Sequence, residues 1–185
     1  AFSGMPAGVG GTVWVYRWNG SDWTPKGPAF ACDSHSCYNI NSVHMPNSET
    51  IAIANSVKTA IFTWNGSNWI QKGTDLLPDL NPNDLYGLTA HMPNPNMIGI
   101  GDFGHDGIGI ESGHVKVYYW NGNGWIQKGN DIDGEAEYNR FGCSVSMPDS
   151  NTIAIGAYDG DTPPMYNNGN IRVFEWNGND WQLKG

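Results

Sequence analysis

The chain has 185 residues and a net charge of −9, with nine Lys and Arg against eighteen Asp and Glu, 25 Gly, 11 Pro and 12% aromatic residues. Scattered basic residues in an acidic chain argue against nucleic-acid binding, which needs clustered Lys and Arg, and no apolar run approaches the ~20 residues of a membrane-spanning helix. Three cysteines are too few for a disulfide framework, and the Gly, Pro and aromatic content suits short strands joined by turns rather than helices.

In chain order, residues 1–11 are Gly-rich and irregular, and lead into a stretch that occurs four times. It reads VWVYRWNGSDWTPKG at 13–27, TAIFTWNGSNWIQKG at 59–73, VKVYYWNGNGWIQKG at 115–129 and IRVFEWNGNDWQLKG at 171–185. Each copy has a Trp, then Asn-Gly, then a second Trp, then Lys-Gly. The paired residues are Trp18/Trp23, Trp64/Trp69, Trp120/Trp125 and Trp176/Trp181; of the nine tryptophans only Trp14 stands outside the pattern. Asn-Gly tolerates positive φ and suits a tight turn between antiparallel strands. The residues before it alternate with period two and are rich in β-branched and aromatic types, so each copy predicts a β-hairpin.

Between the hairpins runs a second repeated element, SVHMPNSETIAIAN at 42–55, LTAHMPNPNMIGIGD at 88–102 and SVSMPDSNTIAIGA at 144–157. Each predicts a strand, a Pro/Asn/Ser turn and a second strand whose small residues imply close approach of a neighbour. A full unit is therefore four antiparallel strands. The spacing of the first tryptophans, 46, 56 and 56 residues, is that of four-stranded propeller blades. Length variation sits in the connections, at 101–114, 156–170, 73–87 and 129–142, as expected where a rigid scaffold carries variable loops.

The segments RFGCSVSMPDSNTIAIGAYDGD and GNIRVFEWNGNDWQLKG resemble the FG-GAP repeats of integrin-α-type β-propellers, in the bacterial, algal and viral form with a WNGxxW hairpin. The resemblance spans residues 32–73, 74–129 and 130–185 as three blades and 12–27 as the outer half of another. It implies an all-β propeller segment, and a non-enzymatic scaffold for adhesion or protein–protein contact outside the cell, on its surface or in a virion. The alternative function is a carbohydrate-binding, lectin-like propeller that stacks glycan on its tryptophans. The calcium loop D-x-D-x-D-G that such repeats often carry between their first two strands is replaced here by 45–50, 92–97 and 147–152. Of the carboxylates the family would place there, the last turn keeps only Asp149 and the second turn has none, so those metal sites do not carry over.

Several residues are candidates for chemistry. His44 and His91 hold the same place in successive first strands, where Ser146 stands in the third. They could face a shared ligand in a central channel, or make the hydrogen bonds to which imidazole is suited. Asp131, Asp133 and Glu135, close to Glu137, are the best calcium candidate, against the plainer reading that acidic residues shape turns and keep the surface soluble. Cys32 and Cys37 are close enough for a disulfide across one loop. No catalytic motif occurs, and the paired tryptophans are expected to pack between blades. Three and a half units do not close a ring, and residues 1–11 leave no room for two more strands. The inner edge of the first hairpin is therefore expected to lack a partner within these residues and to meet another protein chain, a further copy or further sequence of a longer propeller.

Overall fold

The computed structural model describes residues 11–31, 40–79, 88–159 and 168–185, and among them every regular element is a strand. The first hairpin comprises β1 (Thr12–Val13), β2 (Tyr16–Trp18), β3 (Trp23–Pro25) and β4 (Phe30–Ala31), with β2 paired to β3 and β1 to β4. A four-stranded sheet follows, of β5 (Ile40–Asn47), β6 (Thr50–Asn55), β7 (Thr59–Trp64) and β8 (Trp69–Gln71) in sequential order. The next sheet has β9 (Leu88–Asn94), β10 (Met97–Asp102), β11 (His114–Trp120) and β12 (Trp125–Gln127), with β13 (Ile132–Asp133) added to β11. The last has β14 (Phe141–Ser146), β15 (Thr152–Ala157), β16 (Asn170–Trp176) and β17 (Trp181–Leu183). All pairings are antiparallel.

The turns of the repeated hairpins work differently from a two-residue Asn-Gly turn. Trp18 faces Trp23 across the ladder, leaving a four-residue loop, and of its Asn-Gly pair only Gly20 has positive φ, at 105°. Asn19 contributes its side chain: Oδ1 accepts from the backbone N–H of Ser21 and Asp22, at 2.9 Å each. Asn65, Asn121 and Asn177 repeat this arrangement. The asparagine thus folds the loop through an Asx turn, and the glycine supplies the one left-handed residue.

After each of the first three hairpins the chain returns to pair with that hairpin's leading strand, a feature that local alternation does not predict. Val13 pairs with Phe30, Thr59 bridges Leu76, and Val115 pairs with Ile132. Phe30, Leu76 and Ile132 each lie three residues beyond the glycine of Lys-Gly, so an apolar residue at a fixed offset inside polar connections was the available signal. Each of the three joins one of the interior clusters described next.

Three cores lie between successive sheets. The first joins Val13, Val15 and Phe30 to Ile51, Ile53 and Trp69; the second joins Ala52, Ala54 and Ile61 to Met92, Ile98 and Ile100; the third joins Val115 and Val117 to Phe141, Ile153 and Phe174. The small residues of the second strands let these sheets approach. A Cβ on Gly101 would lie 2.2 Å from the Gly142 carbonyl oxygen, and one on Gly99 would lie 3.0 Å from the Met147 sulfur. Covering stops at the last sheet. Val115 of the third sheet is 0% exposed, whereas Ile171, at the same position of the fourth, is 75% exposed.

Among the described residues the strand partner of β2 is β3 alone. Residues 1–10, and with them the expectation that they supply no further strands, lie outside the described residues. So do Cys32 and Cys37. Cys143 is a free, half-buried thiol; burial raises its pKa, and its Sγ donates to the Gly156 carbonyl at 3.3 Å.

Candidate functional site

The tryptophan pairs and the Lys-Gly endings form one joint, repeated three times. Trp69 donates its indole N–H to the carbonyl of Lys26 at 2.8 Å, Trp125 to Lys72 at 2.8 Å, and Trp181 to Lys128 at 2.9 Å. The paired rings pack edge to face or tilted, with centroids 5.3–5.5 Å apart. Each pair closes over the glycine of the preceding hairpin. The φ values of Gly27, Gly73 and Gly129 are 83°, 78° and 79°, and a Cβ on any of them would fall within 2.6–2.7 Å of a tryptophan ring.

The lysine of each joint completes it. Lys26, Lys72 and Lys128 lay their ammonium groups 4.6–5.4 Å from the centroids of the next unit's two tryptophans. They then reach into that unit's first turn. Lys72 Nζ donates to the Pro95 carbonyl at 2.7 Å and to Asn96 Oδ1 at 2.6 Å; Lys128 Nζ donates to the Ser150 carbonyl at 2.6 Å and to Asn151 Oδ1 at 2.9 Å. Lys26 bonds the Ser48 carbonyl and the Glu49 carboxylate. Burial lowers the pKa of Lys72 and Lys128. The first turn of each four-stranded sheet thus receives an ammonium group from the preceding hairpin.

The joint has two unfilled halves among the described residues. Trp18 and Trp23 keep their edge-to-face contact, at 5.7 Å, yet are 54% and 61% exposed, beside exposed Trp14 and Tyr16. At the other end Lys184 pairs with Glu175 of its own hairpin and remains exposed.

His44 and His91 come together where the first strands of the three sheets run side by side, with ring centroids 4.0 Å apart. His44 Nδ1 accepts the backbone N–H of Met92 at 3.2 Å, and His91 Nδ1 accepts that of Met147 at 3.1 Å. Burial and then the neighbouring His91 lower the pKa of His44; burial lowers that of His91. Each ring is therefore a neutral acceptor that ties one sheet to the next. Ser42 and Thr89 make similar ties, to the Ala90 backbone and to the Gly142 carbonyl.

The acidic candidates part company. Glu135 pairs with Arg172. Asp131 accepts from Gln127 at 2.7 Å, as Asp75 does from Gln71 one unit earlier. Asp133 faces His114 across the ladder, and burial followed by the nearby Asp131 raises its pKa. Among the described residues, the group whose ligand atoms converge is instead Asp79, His105 and His114, within 4.8 Å of one another. The rings of His105 and His114 stack with centroids 4.0 Å apart. His114 is 2% exposed; burial first, and then His105 and Lys116, lower its pKa to about 4. Lys116 Nζ binds both Asp79 oxygens, at 2.7 and 2.6 Å, and lies 3.6 Å from Asp131. Sequence reading could not assemble this corner, because its members come from a connection, an inserted loop and a strand. Among the described residues no helix is long and apolar enough to cross a membrane.

No protein-family model matches the chain. No curated protein matches it either.

Proposed function

We propose that the chain is a segment of a β-propeller related to the FG-GAP, integrin-α-like repeats, serving as a non-enzymatic scaffold for protein–protein contact outside the cell, on its surface or in a viral particle. The observation that carries this reading is the unfilled joint. Three tryptophan pairs are covered by the Lys-Gly end of a neighbouring hairpin, while Trp18 and Trp23 present the same face to solvent. Large aromatic side chains grouped in one exposed patch mark an interaction surface.

The partner that fits is a hairpin of the same kind, and a second copy of this chain supplies one in its exposed Lys184 and Gly185. Such a contact is head-to-tail, so it builds a ring where the rotation closes and a filament where it does not. Sedimentation velocity over a wide concentration range tests this. Association that disappears in the Trp18→Ala/Trp23→Ala double variant is expected. A species of 20.2 kDa at every concentration would overturn self-docking.

A second reading rests on the same residues: exposed indole faces also stack on sugars. Glycan binding on an array that is lost in the double variant, without self-association, would favour the carbohydrate-binding alternative.

A further inference from the structure

The third sheet departs from the repeat at one corner. In the second sheet Lys58 makes a 2.8 Å ion pair with Asp75. At the matching position of the third sheet stands His114, whose Nδ1 lies 3.8 Å from Asp131, the counterpart of Asp75. That separation is too long for a hydrogen bond. Nδ1 is buried and has no hydrogen-bond partner, although buried polar atoms are almost always satisfied. The same unit has the inserted loop at 101–114, which delivers His105, and the connection that delivers Asp79. Two carboxylates, Asp79 and Asp131, face a single ammonium, Lys116.

We propose that Asp79, His105 and His114 bind one divalent transition-metal ion of the zinc type. Two imidazoles and a carboxylate match the nitrogen and oxygen ligands that zinc takes, and they are a poor set for calcium, which demands oxygens. Ligand atoms around a tetrahedral zinc lie about 3.3 Å apart and those of this group lie within 4.8 Å of one another, so loading draws the group together by no more than about 1.5 Å. Asp79, which is exposed, and His105, which lies in the loop, make that movement, while His114 is held by its strand. The ion takes the place of Lys116 at Asp79, and the ammonium keeps Asp131 as its partner. The fourth position remains for water.

Calorimetric titration of the folded chain with Zn²⁺, paralleled by the visible spectrum of bound Co²⁺, tests the site. One ion per chain is expected. Asp79→Asn and His105→Gln should each weaken binding at least about tenfold; both positions lie at the edge of the corner, so the fold survives the change. Lys116→Met removes the competing cation and should tighten binding by up to about fivefold, the worth of a half-exposed ion pair. His44→Gln and Cys143→Ser should leave it unchanged. Absence of zinc uptake, uptake undiminished in Asp79→Asn and His105→Gln, or uptake that moves instead with His44 or Cys143 would overturn the proposal.

Discussion

Trp23 of the first hairpin is 61% exposed and Trp181 of the fourth is 6% exposed, although both occupy the second tryptophan position of the same motif. Their own hairpins are alike, with the same Asx turn and the same edge-to-face ring pair. The neighbour makes the difference. Trp181 closes over Gly129 and bonds the Lys128 carbonyl, while Trp23 has no such hairpin beneath it among the described residues. A repeat therefore fixes the shape of the hairpin locally, and the stability of its aromatic face depends on the unit before it. This is the nearest-neighbour logic of stacked repeats.

The comparison breaks most visibly on truncation of the tryptophans. Trp181→Ala should cost about 3–5 kcal/mol in urea unfolding, the loss of a buried aromatic and its hydrogen bond. Trp23→Ala should change the stability of the monomer by no more than about 0.5 kcal/mol. Glycines give the next effect. Gly129→Ala combines positive φ with a Cβ placed 2.7 Å from Trp176 and 2.8 Å from Asp180, and should cost about 2–4 kcal/mol. Gly178, with φ at 101° and open space around it, should lose only the backbone share of about 1–2 kcal/mol.

The lysines sharpen the contrast on a smaller scale. Lys72→Met leaves the Pro95 carbonyl and the Asn96 side chain without their ammonium donor, for a loss of about 1–3 kcal/mol. Lys184→Met removes only an exposed pair with Glu175 and should move the unfolding midpoint by less than about 0.5 kcal/mol equivalent.

How much of this was legible in the sequence follows from the range over which each signal acts. The hairpins, the small-residue strands and the four-strand unit rest on local alternation and turn chemistry, and Trp64 to Gln71 or Thr152 to Ala157 could be placed directly. The Asn-Gly pair predicts backbone freedom at both residues, whereas the side chain of Asn19 folds the turn. The returning strands at Phe30 and Ile132 are two residues long, too short for periodicity to register, although their fixed offset from Lys-Gly was visible. The joint itself was partly legible: the recurrence of the tryptophans pointed to packing between units, but nothing local says that Lys72 reaches a turn more than twenty residues ahead. The corner of Asp79, His105 and His114 could not be read at all, since only the fold brings a connection, a loop and β11 together.

The smallest effect concerns pH and compares the His44–His91 contact with its third counterpart, Ser146. Both histidines titrate below their ordinary value because the folded state buries them as neutral acceptors. The unfolded chain thus takes up protons first as pH falls. Their contribution to stability is complete above about pH 6.5 and is lost as pH falls toward the folded values. The His44→Gln/His91→Gln double variant should show a flatter fall in unfolding free energy than the parent between pH 7 and 5, in units of the pH scale on which about 6.5 is the free-histidine midpoint.

Hydrogen exchange of the indole N–H groups, followed by NMR, tests the joint most directly. Trp69, Trp125 and Trp181 should exchange slowly because a Lys carbonyl of the preceding unit holds each one, and Trp18 and Trp23 should exchange at close to the rate of free indole under conditions where the chain is monomeric. Equal protection of the first pair and the other three in the monomer, or fast exchange at all of them, would contradict the claim that the face is closed only by a neighbouring hairpin.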